Sequence, residues 1–218
     1  MTIQRRQFTT SLLAAGAASA LLPLATQAQA QQQFPVEGTN YVRLGQAVPV
    51  PSGGKIDVIE FFWYGCPHCN AFEPALEAWA KKLPPDVAFR RAHVAFTALH
   101  ENHSRIFYTL ESMGQVEAMH RKVFAAIHQQ RKRLASEGEI ADFMAENGLD
   151  RAKFVDTFKS FGVATKVRQG KQLSEAYKID GVPALGVHGR YYTSGSLAGD
   201  NARALQVTDY LIQTARRG

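Results

Sequence analysis

The chain has 218 residues, 45% of them hydrophobic, and carries 25 Lys and Arg against 19 Asp and Glu for a formal net charge of +6. That length suits one domain, or one domain with an insertion, and that apolar content can bury a sizeable core. So mild a basic excess argues against a nucleic-acid binder, and the one dense basic run, Arg131-Lys132-Arg133, reads as a solvated helix end and not a phosphate-binding patch.

At the N-terminus Arg5 and Arg6 precede an apolar stretch from Leu12 to Leu24, and Ala28-Gln29-Ala30 offers a small-x-small cleavage site. Residues 1–30 therefore read as a removable export signal. A membrane anchor fits less well, because the stretch is Ala-rich, broken by Pro23 and shorter than the ~20 residues a spanning helix needs. Arg5-Arg6-Gln7-Phe8 also resembles a twin-arginine signal, which leaves the export route open. Cleavage removes two basic residues and no acid, so the charge falls from +6 to +4. No second apolar stretch is long enough to cross a bilayer, so a soluble mature protein is expected.

After a polar start, Lys55 to Trp63 reads as a buried strand following Ser52-Gly53-Gly54. From His68 the spacing Phe72, Leu76, Trp79, Leu83 is helical and stops at Pro84-Pro85. Pro74 lies inside that helix, where it removes a donor and crowds the Asn70 carbonyl, so a kink is expected. Val87 to Phe96 reads as a second strand, parallel to the first across a right-handed crossover.

From Thr97 to Gln169 the pattern is helical throughout, with Ser136-Glu137-Gly138-Glu139 as a capping box and Asp150 as an N-cap. His100, His103, His120 and His128 fall in this stretch and read as surface or packing residues. A long helix from Gly162 to Tyr177 leads back to strands at Ala184–His188 and Arg190–Thr193, joined as a hairpin at Gly189. An amphipathic helix from Asn201 to Arg216 closes the chain. The order gives an α/β sheet domain, residues 31–96 and 170–218, interrupted by a helical insertion, residues 97–169.

Cys66 and Cys69 are the only cysteines, and they stand four positions from end to end directly after the first strand. The pair is a local redox couple, a partial metal site or a structural bridge. Closing so short a loop removes little unfolded-chain entropy, which weakens the bridge reading. A tetrahedral zinc site wants four ligands, and no second Cys or His pair stands at a matching spacing. Haem attachment needs His directly after the second Cys, where Asn70 stands. A strand leading into C-x-x-C at a helix start favours the redox couple.

Cys66 at a helix N-terminus meets free backbone amides and the positive end of the helix dipole, which stabilise a thiolate. The dipole contributes roughly 0.3–1 kcal/mol, up to ~2 in sheltered geometry, and one pKa unit is about 1.4 kcal/mol. It therefore lowers the thiol by about one unit, and His68 is the obvious source of anything more, through an N–H or a positive charge.

Glu60-Phe61-Phe62, the Cys66-Pro67-His68-Cys69 centre, Phe72-Glu73, His93-Val94 and Gly181-Val182-Pro183-Ala184 together resemble the thioredoxin fold with inserted helices, as in the DsbA family of exported dithiol oxidases. The resemblance covers most of residues 37–218. It implies an oxidoreductase in the periplasm whose Cys66–Cys69 disulfide passes to newly exported unfolded polypeptides with free thiols through a mixed disulfide at Cys66. No cofactor beyond that disulfide is implied. A quinone-linked, DsbB-like membrane partner would restore it, and a monomer with no nucleic-acid role is expected. The resemblance also implies a buried Cys69, with Glu60 beneath the centre as a carboxyl whose pKa burial raises for proton transfer. It further implies a cis bond at Val182-Pro183, with the Val182 backbone pairing with an extended substrate. Glu73 and Arg91 match positions of supporting charge, and a surface ion pair explains them equally well.

Two other readings use the same sulfurs. A disulfide isomerase or reductase of this type would carry an N-terminal dimerisation domain, for which residues 31–50 leave no room. A thioredoxin-like metal-binding module would hold Cu(I), with a further Met or His close by, but Met113, Met119 and Met144 all fall in the insertion.

Overall fold

Seven consecutive buried residues, Ile56–Phe62, make the strand on which the fold is built. A strand buried on both faces needs no polar alternation, which is why Ile-Asp-Val-Ile-Glu-Phe-Phe reads as an apolar run with two acids in it. The computed structural model describes residues 34–51 and 53–218. The expected export signal, residues 1–30, lies outside the described residues.

In chain order the elements are β1 (Val42–Arg43), β2 (Ile56–Phe62), α1 (Pro67–Ala80), β3 (Val87–His93), α2 (Ala98–Ser112), α3 (Val116–His128), α4 (Glu137–Glu146), α5 (Arg151–Lys159), α6 (Phe161–Ala176), β4 (Ala184–Val187), β5 (Tyr191–Ser194), α7 (Gly195–Ala198) and α8 (Asn201–Arg216). The sheet order is β1-β5-β4-β2-β3. β3 runs parallel to β2 and sets Arg91 opposite Glu60. β4 is antiparallel on the other side and sets Leu185 opposite Glu60. This is a thioredoxin-like fold with inserted helices.

α8 begins where Asp200 accepts a hydrogen bond from the Arg203 amide at 2.7 Å. It buries Ala204, Val207, Thr208, Leu211 and Ile212, a helical i, i+3, i+4, i+7, i+8 stripe, against Val58, Val187 and Tyr191. Burying Leu211 and Ile212 contributes roughly 1.5–3 kcal/mol each. At the other end of the sheet, Phe62, Tyr64, Cys66 and Cys69 share one core with Ile106, Met119, Phe124, Phe143 and Phe154 of the helical segment. The helices therefore roof the cysteine end of the sheet.

Several boundaries differ from the sequence reading. β3 stops at His93, because β2 ends at Phe62; the Val94 amide still donates to the Phe62 carbonyl at 2.8 Å. α1 stops at Ala80, with Pro74 in its interior. Ser136 caps α4 as expected, but the Glu139 carboxylate accepts from the Leu134 and Ala135 amides at 2.9 and 3.0 Å. Arg131-Lys132-Arg133 lies in a loop, since α3 ends at His128 and Arg131 takes a positive φ of 58°. α6 runs unbroken across position 169 and packs on α2, α5 and β3. Two short elements, β1 and α7, carry no sequence periodicity. Among the described residues no helix is long and apolar enough to cross a membrane.

Candidate active site

Cys66 is the N-cap of α1, in extended geometry at φ −83° and ψ 117°, and its sulfur accepts the Cys69 amide at 3.3 Å. Pro67 follows at the first helical position, where a missing N–H costs nothing. Gly65 is required just before, because a Cβ there would overlap the Trp63 indole. Both cysteines are free thiols, with Cys66 6% exposed and Cys69 sealed beneath it. Pro67 and His68 are exposed.

The two sulfurs are pushed in opposite directions. The Cys66 thiol falls to about 6, first through the hydrogen bond from Cys69, against an opposing burial cost, then through the Cys69 and His68 amides and last through the His68 charge. Burial drives Cys69 far up, followed by its hydrogen bond to Cys66 and by the charges of Cys66 and Glu60. His68, the expected source of acidity beyond the dipole, contributes through both its amide and its charge, but the neighbouring thiol comes first and the His68 charge last.

Val182 and Pro183 are joined by a cis bond, and the Val182 carbonyl accepts a hydrogen bond from Cys66 Sγ at 3.4 Å. Pro183 is buried, and Val182 is half-buried. An open groove of about 730 Å³ runs from His68 past Gly181, Val182 and Pro183 to Tyr192 and Ser194.

Beneath the cysteines lies a buried polar cluster drawn from four elements. Glu60 is fully buried; its Oε2 accepts from Arg91 Nε at 2.9 Å, and its Oε1 has no hydrogen-bond partner among the described residues. Burial, helped by the Glu73 charge and opposed by Arg91, raises its carboxyl to about 8. Arg91 also donates to Glu73 Oε2 at 3.0 Å. Glu73 Oε1 pairs with His120 Nε2 at 3.1 Å, and His120 Nδ1 with the Tyr64 hydroxyl at 3.0 Å. A carboxylate only accepts, so Nε2 carries the proton toward Glu73 and Nδ1 accepts from Tyr64. Burial opposes the Glu73 charge, but the His120 hydrogen bond and charge and the Arg91 and Arg121 charges outweigh it and hold the carboxyl below its ordinary value. Burial lowers His120, against the hydrogen bond and charge of Glu73.

Glu73 and Arg91 are thus no surface pair: Glu73 is fully buried and Arg91 is 17% exposed. His120 was missed as part of the site. The signal was its place on the apolar face of α3 between Met119 and Val123, since a buried imidazole must find hydrogen-bond partners. His103 is a packing residue that accepts the Trp63 indole N–H at 3.0 Å.

A vicinal dithiol at a helix N-terminus, on a thioredoxin-like sheet roofed by inserted helices, defines a thiol:disulfide oxidoreductase. Residues 100–207 match the family model described as "DSBA-like thioredoxin domain". The thiol:disulfide interchange protein DsbA of Azotobacter vinelandii is 44% identical over 201 residues, 92% of this chain and 94% of that one. The protein of the same name from Bordetella parapertussis is 45% identical over 217 residues, 99% and 100% of the two chains. The crystal structure of Pseudomonas aeruginosa DsbA superposes with a TM-score of 0.81 at 44% identity, covering 84% of this chain and 95% of that one. The chain belongs to the DsbA family and is a thiol:disulfide interchange enzyme.

Proposed function

We propose that the protein is a dithiol oxidase that donates a Cys66–Cys69 disulfide to newly exported, unfolded polypeptides carrying free thiols. One observation carries the reading: the Cys66 sulfur caps the start of α1 and accepts the Cys69 amide at 3.3 Å, an arrangement that draws Cys66 down to about 6 while burial pushes Cys69 far up. A thiolate exists only in the reduced form, so an acidic Cys66 stabilises dithiol over disulfide and makes the disulfide an oxidant. DsbA proteins are themselves the standard example of this relation. At pH 7 a thiol of about 6 is tenfold ionised, which favours the dithiol by about 1.4 kcal/mol, or roughly 30 mV for two electrons. Screening by salt makes this an upper value. The effect is full above the ordinary thiol range and is lost as pH falls through about 6.

In the first step a substrate thiolate attacks Cys66, forming the substrate–Cys66 bond, breaking the Cys66–Cys69 bond and expelling Cys69 as a thiolate. Protonated Glu60 gives its proton to that sulfur, whose pushed-up value makes the transfer favourable. A second substrate thiolate then attacks the first substrate sulfur, and Cys66 leaves as the thiolate its surroundings favour. The substrate has lost two electrons and the enzyme has gained them. Cys66 donates to the Val182 carbonyl only as a thiol; in the disulfide it has no proton to give, so the Val182 backbone of the oxidised enzyme is free to pair with an extended chain. Main-chain pairing ignores side-chain identity, as a broad substrate range requires.

In this reading residues 1–30 direct export to the periplasm, residues 31–96 and 170–218 form the thioredoxin-fold domain, and residues 97–169 are the helical insertion. The redox disulfide is the only cofactor, and a DsbB-like, quinone-linked membrane protein restores it. The test is to titrate Cys66 thiolate absorbance against pH and to follow oxidation of a reduced unfolded protein. A thiol titrating near the ordinary ~8.5, or an enzyme that reduces insulin but does not oxidise the unfolded substrate, overturns the proposal.

A further inference from the structure

We propose that His120, on α3 of the helical segment, is a positioning residue for the dithiol reaction, holding Glu73 ionised so that Arg91 is shared and Glu60 keeps its proton. The inference rests on Glu60 serving as the proton donor to Cys69. It stands on geometry: Arg91 is the one cation that donates to both buried carboxylates, from different nitrogens at 2.9 and 3.0 Å, while Arg121 lies exposed at the rim. Only one of those carboxylates has a second partner. Glu73 Oε1 takes the His120 N–H, whereas Glu60 Oε1 is buried and unpartnered. Ionised Glu73, Arg91 and a protonated Glu60 sum to zero charge, and a second carboxylate anion would be uncompensated in a desolvated site.

The groups facing the cluster fit this division. α1 contributes Glu73 and Glu77, β3 contributes Arg91 and His93, α3 contributes His120 and Arg121, and the loop before α1 contributes Tyr64. The Tyr64 hydroxyl, donating to Nδ1, fixes the tautomer that points the His120 proton at Glu73. At its outer end the cluster borders an open pocket lined by Glu77, Phe89, Arg91, Val116, His120 and Arg121, so its proton balance is in reach of solvent.

Removing the donor leaves Glu73 Oε1 buried and unsatisfied, so Glu73 takes up a proton. The Arg91 charge then belongs to Glu60 alone, and Glu60 ionises. In His120→Leu the Glu60 titration, read by the infrared carboxyl band of the reduced protein and assigned by its loss in Glu60→Gln, should move from about 8 toward the ordinary ~4.3. His120→Gln restores an N–H donor and should return the titration to near 8. The Cys66 thiolate titration should stay near 6 in all these variants, because the groups that lower it, the Cys69 thiol, the Cys69 and His68 amides and the His68 charge, lie outside the cluster. If His120→Leu does not fold, Tyr64→Phe removes only the tautomer-fixing hydroxyl and should move Glu60 in the same direction by a smaller amount. A Glu60 titration unmoved in the folded variants, with lowered Tm alone, overturns the proposal. An ordinary Cys66 in the unsubstituted protein instead overturns the oxidase reading.

Discussion

Replacing His68 with Leu tests how the Cys66 thiolate is stabilised. The fall from 9.0 to about 6 corresponds to roughly 4 kcal/mol at 1.4 per pKa unit. Four contributions produce it against the cost of burial, and the His68 charge is the smallest of the four. It is therefore smaller than each of the other three, and solvent around the exposed ring reduces it further. His68→Leu should make the centre more reducing by well under ~60 mV, while the helix cap and both backbone amides remain. Cys69→Ala removes the first contribution and should raise the Cys66 titration by more than His68→Leu does. The assay is thiolate absorbance against pH for all three proteins, with the potential of the unsubstituted and His68→Leu proteins set against glutathione. A drop of ~60 mV or more in His68→Leu, or a Cys66 still titrating near 6 in Cys69→Ala, would refute the ordering of causes.

Glu60→Gln keeps an acceptor for Arg91 but has no proton to give; single-turnover oxidation of substrate should slow about 10²–10⁴-fold. With Glu60 near 8 the unsubstituted rate should fall as pH rises through that value, once corrected for substrate thiolate, and the variant should lose this limb. Arg91→Leu leaves two buried carboxylates without their shared cation and should cost about 3–5 kcal/mol in denaturant unfolding, more at pH 8 than at pH 5 because at pH 5 the stranded acids can take up protons and shed their uncompensated charge. Gly186→Ala would place a Cβ against the Tyr177 ring and 2.8 Å from Ile59 Cγ2, so a loss of roughly 1–3 kcal/mol is expected, read as a lower Tm with the Cys66 titration unchanged.

The chemistry was legible in the sequence because it is local. Two cysteines four positions from end to end, after a strand and before a helical spacing, bring the sulfurs to the helix start by chain connectivity alone. The same holds for Asp150 and Ser136 as caps and for the hairpin at Gly189, where the deciding contacts lie within a few residues. Glu60, Glu73, Arg91 and His120 come from four separate elements, and no spacing among them announces a meeting. Their charges depend on desolvation, which arises only when α3 closes over the end of β2 and α1. β1 was illegible for a related reason, since two residues have no periodicity and acquire strand geometry only by pairing with β5. Connectivity determined which sulfurs meet at the helix start; tertiary burial decided the charges around them, because the cost of a charge depends on what surrounds it.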